Sequence, residues 1–245
     1  MRRPRGTGHF VRHVRVEDLA DTGRYPFTLP AVRALVADGL ELAPGVTFLV
    51  GENGSGKSTL TEALAVACGF NAEGGSQNFR FATRASESSL ADHLVLSWAG
   101  RKPRTGYFLR AESYYNVATE IERLGDLSAY GGVSPHERSH GESFIDLVSH
   151  RFGGEGLYFL DEPEAALSVR GCMAVVRRLV DLVGQGCQFV VATHSPVLLA
   201  LPGAVIFEIG EDGSLGRTSY DEALPVRLMR DFLGRPEVYL RHLLE

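Results

Sequence analysis

The sequence lacks the patterns that mark membrane, secreted and cysteine-metal proteins. Its longest uninterrupted apolar run, residues 63–68, has six residues, whereas a transmembrane helix needs about 20. The three cysteines, Cys68, Cys172 and Cys187, lie far apart and form no C-x-x-C pair. This spacing argues against a disulfide framework and a zinc site. We therefore expect a cytoplasmic protein without a secretory signal.

Lysine is also scarce, and much of the positive charge lies at the amino end. Lys57 and Lys102 are the two lysines of the chain. The first sixteen residues hold five arginines and no acid, although the chain has a formal net charge of −5. This basic segment is compatible with a contact to nucleic acid or anionic lipid, and equally with a solvated edge strand. The rest of the chain is acidic, so its body is not a basic nucleic-acid surface.

The composition that is present is that of an ordinary globular protein. Apolar residues make up 44% of the chain and charged residues 22%, which excludes a disordered chain. A length of 245 residues fits one large α/β domain or a core domain with a small insert. We predict a single domain over residues 1–245. Residues 79–138, which have few apolar runs and clusters of Ser and Gly, are predicted to form an inserted subdomain.

Three short apolar runs predict buried parallel strands, over residues 45–50, 157–160 and 188–192. Polar residues follow the last two runs directly, and a glycine-rich turn follows the first. Because ligands bind outside the carboxyl ends of parallel strands, these ends predict a shared site. Helical periodicity over residues 169–183 predicts a crossover helix, and the tail is predicted to form two short helices broken near Gly234.

The most specific motif is G-x-x-x-x-G-K-[ST], between the first predicted strand and a helix predicted over residues 58–68. Glycines let backbone amides curve around a β-phosphate, and the helix amino terminus adds partial positive charge. Lys57 would supply its charge to the β and γ oxygens, and Ser58 would be a ligand of Mg²⁺. A glycine-rich turn with a fortuitous lysine is the alternative, which the flanking elements disfavour. The predicted nucleotide-binding residues are Gly51, Glu52, Asn53, Gly54, Ser55, Gly56, Lys57, Ser58 and Thr59.

A carboxylate pair ends the second predicted strand. Four apolar residues precede Asp161 and Glu162, which is the pattern of a Walker B segment. Asp161 would hold Mg²⁺ directly or through water, and Glu162 would face the attacking water. An acidic turn before Pro163 is the alternative, and it is the weaker one beside a phosphate loop.

These motifs in this order resemble the ABC-type ATPase superfamily of P-loop NTPases. The resemblance implies an α/β fold with a mixed sheet flanked by helices, and ATP and Mg²⁺ as cofactors. Gln77 resembles the Q-loop glutamine, which in the family touches Mg²⁺ and the attacking water. His194 resembles the switch histidine, which contacts the γ-phosphate. By position, Tyr25 or Phe27 is a candidate to stack on adenine.

Residues 139–143, Ser-His-Gly-Glu-Ser, resemble the family's signature Ser-Gly-Gly-Gln and retain Ser139 and Gly141. At the start of a helix predicted over residues 142–151, this hydroxyl and this amide could grip a γ-phosphate. A plain serine N-cap with an acidic first turn explains Ser139 and Glu142 equally well. The departures from the signature resemble the soluble, stand-alone ATPases grouped with overcoming-lysogenization-defect and recombination ATPases.

The resemblance also implies a composite active site, because in this superfamily the signature segment serves the nucleotide of the opposite subunit. Two copies would pair head to tail around two ATP molecules and separate after hydrolysis. We favour a stand-alone ATPase whose dimerisation remodels a protein or nucleic-acid partner, in DNA repair or phage defence. The alternatives are the nucleotide-binding subunit of a membrane transporter, which requires a separate transmembrane protein, and a non-catalytic nucleotide-binding module.

Overall fold

Two β-sheets and the helices packed on them make up the computed structural model, which describes residues 8–17, 22–76, 89–111, 140–210 and 212–244. The strands are β1 (Val11–Val16), β2 (Leu40–Glu41), β3 (Val46–Gly51), β4 (Leu94–Trp98), β5 (Thr105–Arg110), β6 (Gly156–Asp161), β7 (Gln188–Ala192), β8 (Val205–Ile209) and β9 (Leu215–Thr218). The helices are α1 (Pro30–Asp38), α2 (Lys57–Ala67), α3 (His140–His150), α4 (Val169–Val183), α5 (Pro196–Leu199), α6 (Leu224–Gly234) and α7 (Pro236–Leu244), with 3₁₀ turns at Ser89–His93 and Pro163–Ala166. Among these helices, none has the length and apolar character needed to cross a bilayer.

The larger sheet has six strands in the order β5-β6-β7-β3-β8-β9. All neighbouring pairs are parallel except β8 and β9, which are antiparallel. The three strands predicted from the sequence are β6, β7 and β3, and they lie side by side. Their carboxyl ends therefore meet at one edge of the sheet, and the prediction of a mixed sheet flanked by helices is confirmed.

Side chains that alternate along these strands fill two separate cores, one on each face of the sheet. On β6, Tyr158 packs into the core that α3 and α4 cover, whereas Phe159 packs into the core that α2 covers. The Tyr158 ring stacks on Phe152 with centroids 4.3 Å apart and on Phe189 at 5.0 Å. Because β6 is held on both faces, its last residue is fixed at the edge where the strand ends meet.

The smaller sheet is antiparallel, with the strand order β2-β1-β4. β1 is its central strand, so the alternative of a solvated edge strand at the amino end is wrong for this segment. The reason is that Val11 and Val14 are buried in the core, while pairing on both sides uses the backbone groups of β1. Arg12 and Arg15 remain exposed.

One buried side chain joins the two sheets. Gln188, the first residue of β7, accepts hydrogen bonds at Oε1 from the backbone amides of Phe10, at 2.8 Å, and Val11, at 3.0 Å. Its Nε2 donates to the carbonyls of Val11, at 2.8 Å, and Ala43, at 3.0 Å. These four bonds use the full hydrogen-bonding capacity of the amide, so the amino-terminal sheet is tied to the larger one through this residue.

Part of the range predicted as an inserted subdomain, residues 79–138, belongs to the two sheets. β4 pairs with β1 in the smaller sheet, and β5 pairs in parallel with β6 in the larger one. The sequence gives little sign of this because β4 is only partly buried and contains no long apolar run. Residues 77–88 and 112–139 lie outside the described residues, and for them the insert stays a prediction.

Candidate functional site

The loop between β3 and α2 forms a cradle of backbone groups. Gly54 and Gly56 have φ angles of +81° and +96°, a region that glycine adopts without strain. A Cβ on Gly56 would lie 3.0 Å from the Cβ of Leu29, whereas one on Gly54 would meet nothing within 4 Å. The loop is therefore packed against the protein on one side and open on the other, as a site for a phosphate group requires.

Lys57 begins α2 and is only 4% exposed. Its Nζ donates hydrogen bonds to the carbonyl oxygens of Gly51, at 2.8 Å, and Glu52, at 3.0 Å. Burial lowers the pKa of Lys57, while the carboxylates of Glu162 and Asp161 act in the opposite direction. Burial is the largest of these effects, and it disfavours the charged ammonium. An anion bound beside Lys57 would oppose this effect by stabilising the charged form.

Two adjacent carboxylates follow β6 and differ in their surroundings. Asp161 is 6% exposed, and its Oδ2 lies 3.5 Å from Nε of Arg110. Glu162 is partly exposed and has a φ of +48°, which is uncommon for a residue with a side chain and often marks a functional turn. The backbone amide of Glu162 donates to the carbonyl of Ala192 at 2.9 Å, which fixes this turn to the end of β7.

The loop that follows β7 carries the predicted switch histidine. His194 Nε2 lies 3.5 Å from Glu162 Oε1, so the structure brings these two predicted catalytic groups together. Glu164 accepts hydrogen bonds at Oε1 from the Thr193 hydroxyl, at 2.7 Å, and from the His194 backbone amide, at 2.5 Å. The sequence predicted no role for Glu164, which lies in the segment Glu-Pro-Glu-x-x-Leu, residues 162–167, directly after the Walker B aspartate.

A cavity of about 160 Å³ connects the phosphate loop with this carboxylate turn. Tyr25 is 66% exposed, and its hydroxyl lies 3.5 Å from Thr59 Oγ1. Phe27 is buried beside His93, so Tyr25 is the one of the two adenine-stacking candidates that borders the cavity. The lining residues are Tyr25, Leu29, Asn53, Gly54, Gly56, Lys57, Ser58, Thr59 and Glu162.

Comparisons with known proteins agree on one type of domain. A family model described as an AAA domain matches residues 36–123. The macrolide export ATP-binding/permease protein MacB of Marinobacter nauticus is 27% identical over 192 residues, which cover 68% of this chain and 29% of that protein. The ribose import ATP-binding protein RbsA 1 of Rubrobacter xylanophilus is 28% identical over 235 residues, covering 84% of this chain and 45% of that protein. The chain thus spans less than half the length of these curated relatives.

Among solved structures, cbiO1 of Clostridium perfringens, part of the ABC transporter complex cbiONQ, has the same fold. It matches with a TM-score of 0.51 and 16% identity, and the match covers 96% of this chain and 99% of cbiO1. The chain therefore has the fold of the ABC-type P-loop ATPases. Its phosphate loop follows β3 and its carboxylate turn follows β6, as the sequence predicted.

Two predicted site residues, Gln77 and Ser139, lie outside the described residues. Gly141 is the second residue of α3, and a Cβ placed on it would lie 3.1 Å from the carbonyl oxygen of Ala166. The signature-like segment therefore leads into a helix amino terminus, beside the turn that follows β6. The helix begins at His140, two residues before the predicted start.

Arg110 lies beside the predicted Walker B aspartate, a position that the sequence did not reveal. It ends β5, and its Nη1 lies 2.5 Å from Oε2 of Glu62 on α2, while its Nε approaches Asp161. No motif surrounds Arg110 in the sequence. Only the pairing of β5 with β6, in which Arg110 is opposite Asp161, places the guanidinium beside the Walker B carboxylate.

The oxygen donors at this site fit Mg²⁺. Ser58 lines the cavity, Asp161 lies at the same sheet edge, and both offer oxygen atoms, which Mg²⁺ prefers. The part of the chain that the structure describes contains no cluster of three His, Cys, Asp or Glu side chains suited to a metal. The three cysteines are buried thiols, and burial raises the pKa of Cys68 to about 12.

Proposed function

We propose that this chain is an ATPase. It binds ATP between the phosphate loop and the carboxyl ends of β6 and β7, and hydrolyses it there. The observation that carries the proposal is the convergence of Lys57, Glu162 and His194 at one sheet edge. Lys57 interacts electrostatically with the carboxylate of Glu162, and His194 Nε2 lies 3.5 Å from that carboxylate. A buried cation that binds phosphate and a carboxylate that can orient water are groups on which phosphoryl transfer depends.

Each residue has a separate task in this proposal. Backbone amides of the loop bind the phosphates, and the Lys57 ammonium exchanges two carbonyl oxygens for phosphate oxygens. Ser58 and Asp161 would hold Mg²⁺, which supplies positive charge to the triphosphate when it is bound. Glu162 orients the attacking water and accepts its proton. His194 is placed to contact the γ-phosphate.

Gln77 keeps its proposed role as a contact to the metal ion and the attacking water. It lies outside the described residues, so this role depends only on the resemblance to the Q-loop.

We further infer that two copies of the chain pair head to tail when ATP is bound. Ser139 and Gly141 of the partner subunit would then meet the γ-phosphate held by the first copy. The support is the position of Gly141 in the first turn of α3, where backbone amides and the helix dipole favour anions. Since the γ-phosphate bridges the two copies, its loss on hydrolysis would open the dimer.

The output that we propose is a conformational change in a protein or nucleic-acid partner of a stand-alone ATPase, in DNA repair or defence. The support is the departure of residues 139–143 from the transporter signature and the run of arginines at the amino end. A second candidate is the ATP-binding subunit of a membrane transporter, which would act through a separate membrane protein. It is favoured by relatives named as macrolide export and ribose import proteins.

The test uses Glu162→Gln, which keeps the side-chain shape and removes the base. We expect E162Q to bind ATP, to hydrolyse it far more slowly than the wild type, and to form dimers with MgATP in light scattering. The matched control is E41Q, since Glu41 is an exposed residue in a surface ion pair. Hydrolysis by E162Q at the wild-type rate would exclude Glu162 as the base. A monomer at saturating MgATP would exclude the dimer.

Affinity isolation of the trapped E162Q dimer from cells separates the two outputs. Recovery of a polytopic membrane protein supports the transporter subunit, and recovery of a soluble protein or nucleic acid supports the stand-alone ATPase.

A further inference from the structure

A single carboxylate, that of Glu164, connects the loops that follow β6 and β7. It lies in the 3₁₀ turn Pro163–Ala166, which begins directly after Glu162. Its Oε1 accepts one hydrogen bond from the Thr193 hydroxyl, at 2.7 Å, and one from the His194 backbone amide, at 2.5 Å. Hydrogen bonds to a carboxylate are about twice as strong as those between neutral groups. This is the only side-chain connection between the two loops that involves the backbone of His194 among the described residues.

We propose that Glu164 is a positioning residue that sets the place of His194 relative to Glu162. The proposal rests on the ATPase function proposed above. Glu164 does not contact the reacting atoms. It acts through the backbone of the loop that carries the histidine.

The loop at His194 depends on few other bonds. The Thr193 backbone amide donates to the Leu49 carbonyl at 3.2 Å, and the Thr193 hydroxyl accepts from the Ser195 amide at 3.0 Å. Thr193 is completely buried, so its hydroxyl has a fixed environment. Among the residues that the structure describes, the backbone amide of His194 is held by Glu164 alone. Removal of the Glu164 carboxylate would therefore leave this amide without that partner.

The turn that carries Glu164 is held by backbone hydrogen bonds. The Glu162 amide donates to the Ala192 carbonyl at 2.9 Å, and the Ala165 amide donates to the Glu162 carbonyl at 3.0 Å. Glu162 and Glu164 therefore belong to one turn, which is anchored to the end of β7. Glu162 belongs to this turn, and the backbone of His194 is hydrogen-bonded to it through Glu164. Glu164 therefore helps to set the distance of 3.5 Å between His194 Nε2 and Glu162 Oε1.

The charge of Glu164 also acts at the phosphate loop. It opposes the lowering of the Lys57 pKa, whose largest cause is burial. Within the described residues, Oε2 of Glu164 is buried and has no hydrogen-bond partner, so only Oε1 makes the connection to the His194 loop.

The first experiment measures the connection without nucleotide. Hydrogen–deuterium exchange of the peptide that contains residues 193–195 is compared for the wild type, E164A and the matched surface control E41A. We expect faster exchange at His194 in E164A and wild-type exchange in E41A. Unchanged exchange in E164A would overturn the proposal, whether or not the protein hydrolyses ATP.

The second experiment measures turnover by E164A, E164Q and T193V. A displaced catalytic group costs about 10- to 100-fold in rate, so we expect E164A to lose this much in kcat with KM for ATP changed by less than about threefold. E164Q retains an acceptor oxygen for both donors and should recover most of the rate. T193V also removes the acceptor of the Ser195 amide. The loss in E164A combined with T193V should nevertheless be smaller than the product of the two single losses, because both changes break the bond between Glu164 and Thr193.

Three results would refute the positioning role. These are a wild-type kcat in E164A, an E164Q variant as slow as E164A, and losses in E164A and T193V that multiply in the double variant. If the wild type itself shows no ATP hydrolysis, the proposed function fails, and the exchange experiment still decides whether Glu164 holds the His194 loop.

Discussion

Replacing Gln188 with methionine should weaken the joint between the two sheets. The substitution keeps the length and volume of the side chain but removes its amide. Four buried backbone groups then lose a partner, namely the amides of Phe10 and Val11 and the carbonyls of Val11 and Ala43. At about 1 kcal/mol for each hydrogen bond, the free energy of unfolding should fall by about 4 kcal/mol.

Urea denaturation and thermal melting measure this loss. For a chain of this size, about 1 kcal/mol corresponds to a change of about 2–4 °C in Tm, so Q188M should melt about 8–16 °C lower. Gln185, a partly exposed residue in the turn before β7, provides the matched control. Q185M should stay within about 0.5 kcal/mol of the wild type. If Q188M loses less than about 1 kcal/mol, the four bonds do not stabilise the joint as argued.

The remaining predictions concern the site and one helix cap. K57A should lose affinity for MgATP in calorimetric titration, because backbone amides alone do not neutralise the triphosphate, and retained affinity would contradict this. Because the pKa of Lys57 is lowered on folding, the unfolded chain holds the proton to higher pH, so the free energy of unfolding should rise between the lowered pKa and 10.5. K57M should lack this rise in urea denaturation. S168A removes the N-cap bond to the Gly171 amide, at 3.1 Å, and should lower the free energy of unfolding by about 1 kcal/mol, and an unchanged urea midpoint would disprove the cap.

The local pattern predicted the central elements with close agreement. The strand over residues 188–192 and the helix over residues 169–183 have the predicted boundaries. The phosphate loop lies between β3 and α2, as predicted. Such elements were accessible because a continuous apolar run and a helical period are properties of short segments.

The elements that were misjudged depend on distant partners. β4 and β5 are short strands without a strong apolar pattern, and the segment at the amino end looked like an edge strand. β1 is central because β2 and β4 pair with it from both sides, which no local pattern reveals. The contacts of Arg110 and Glu164 were missed for the same reason. Asp161, the partner of Arg110, is distant in the sequence, and His194, the partner of Glu164, lies in another loop.

The sequence by itself determined the chemistry of this protein's phosphate loop, its carboxylate pair and the positions of its three central strands in the chain. Such features depend on residues adjacent in the chain, whose spacing fixes backbone conformation and charge. The tertiary structure alone decided which side chains from separate strands meet. Arg110 lies beside Asp161 because β5 pairs with β6, and Glu164 holds His194 because β6 and β7 are neighbours. Sheet pairing selects partners by long-range packing, and for that reason short segments do not specify it.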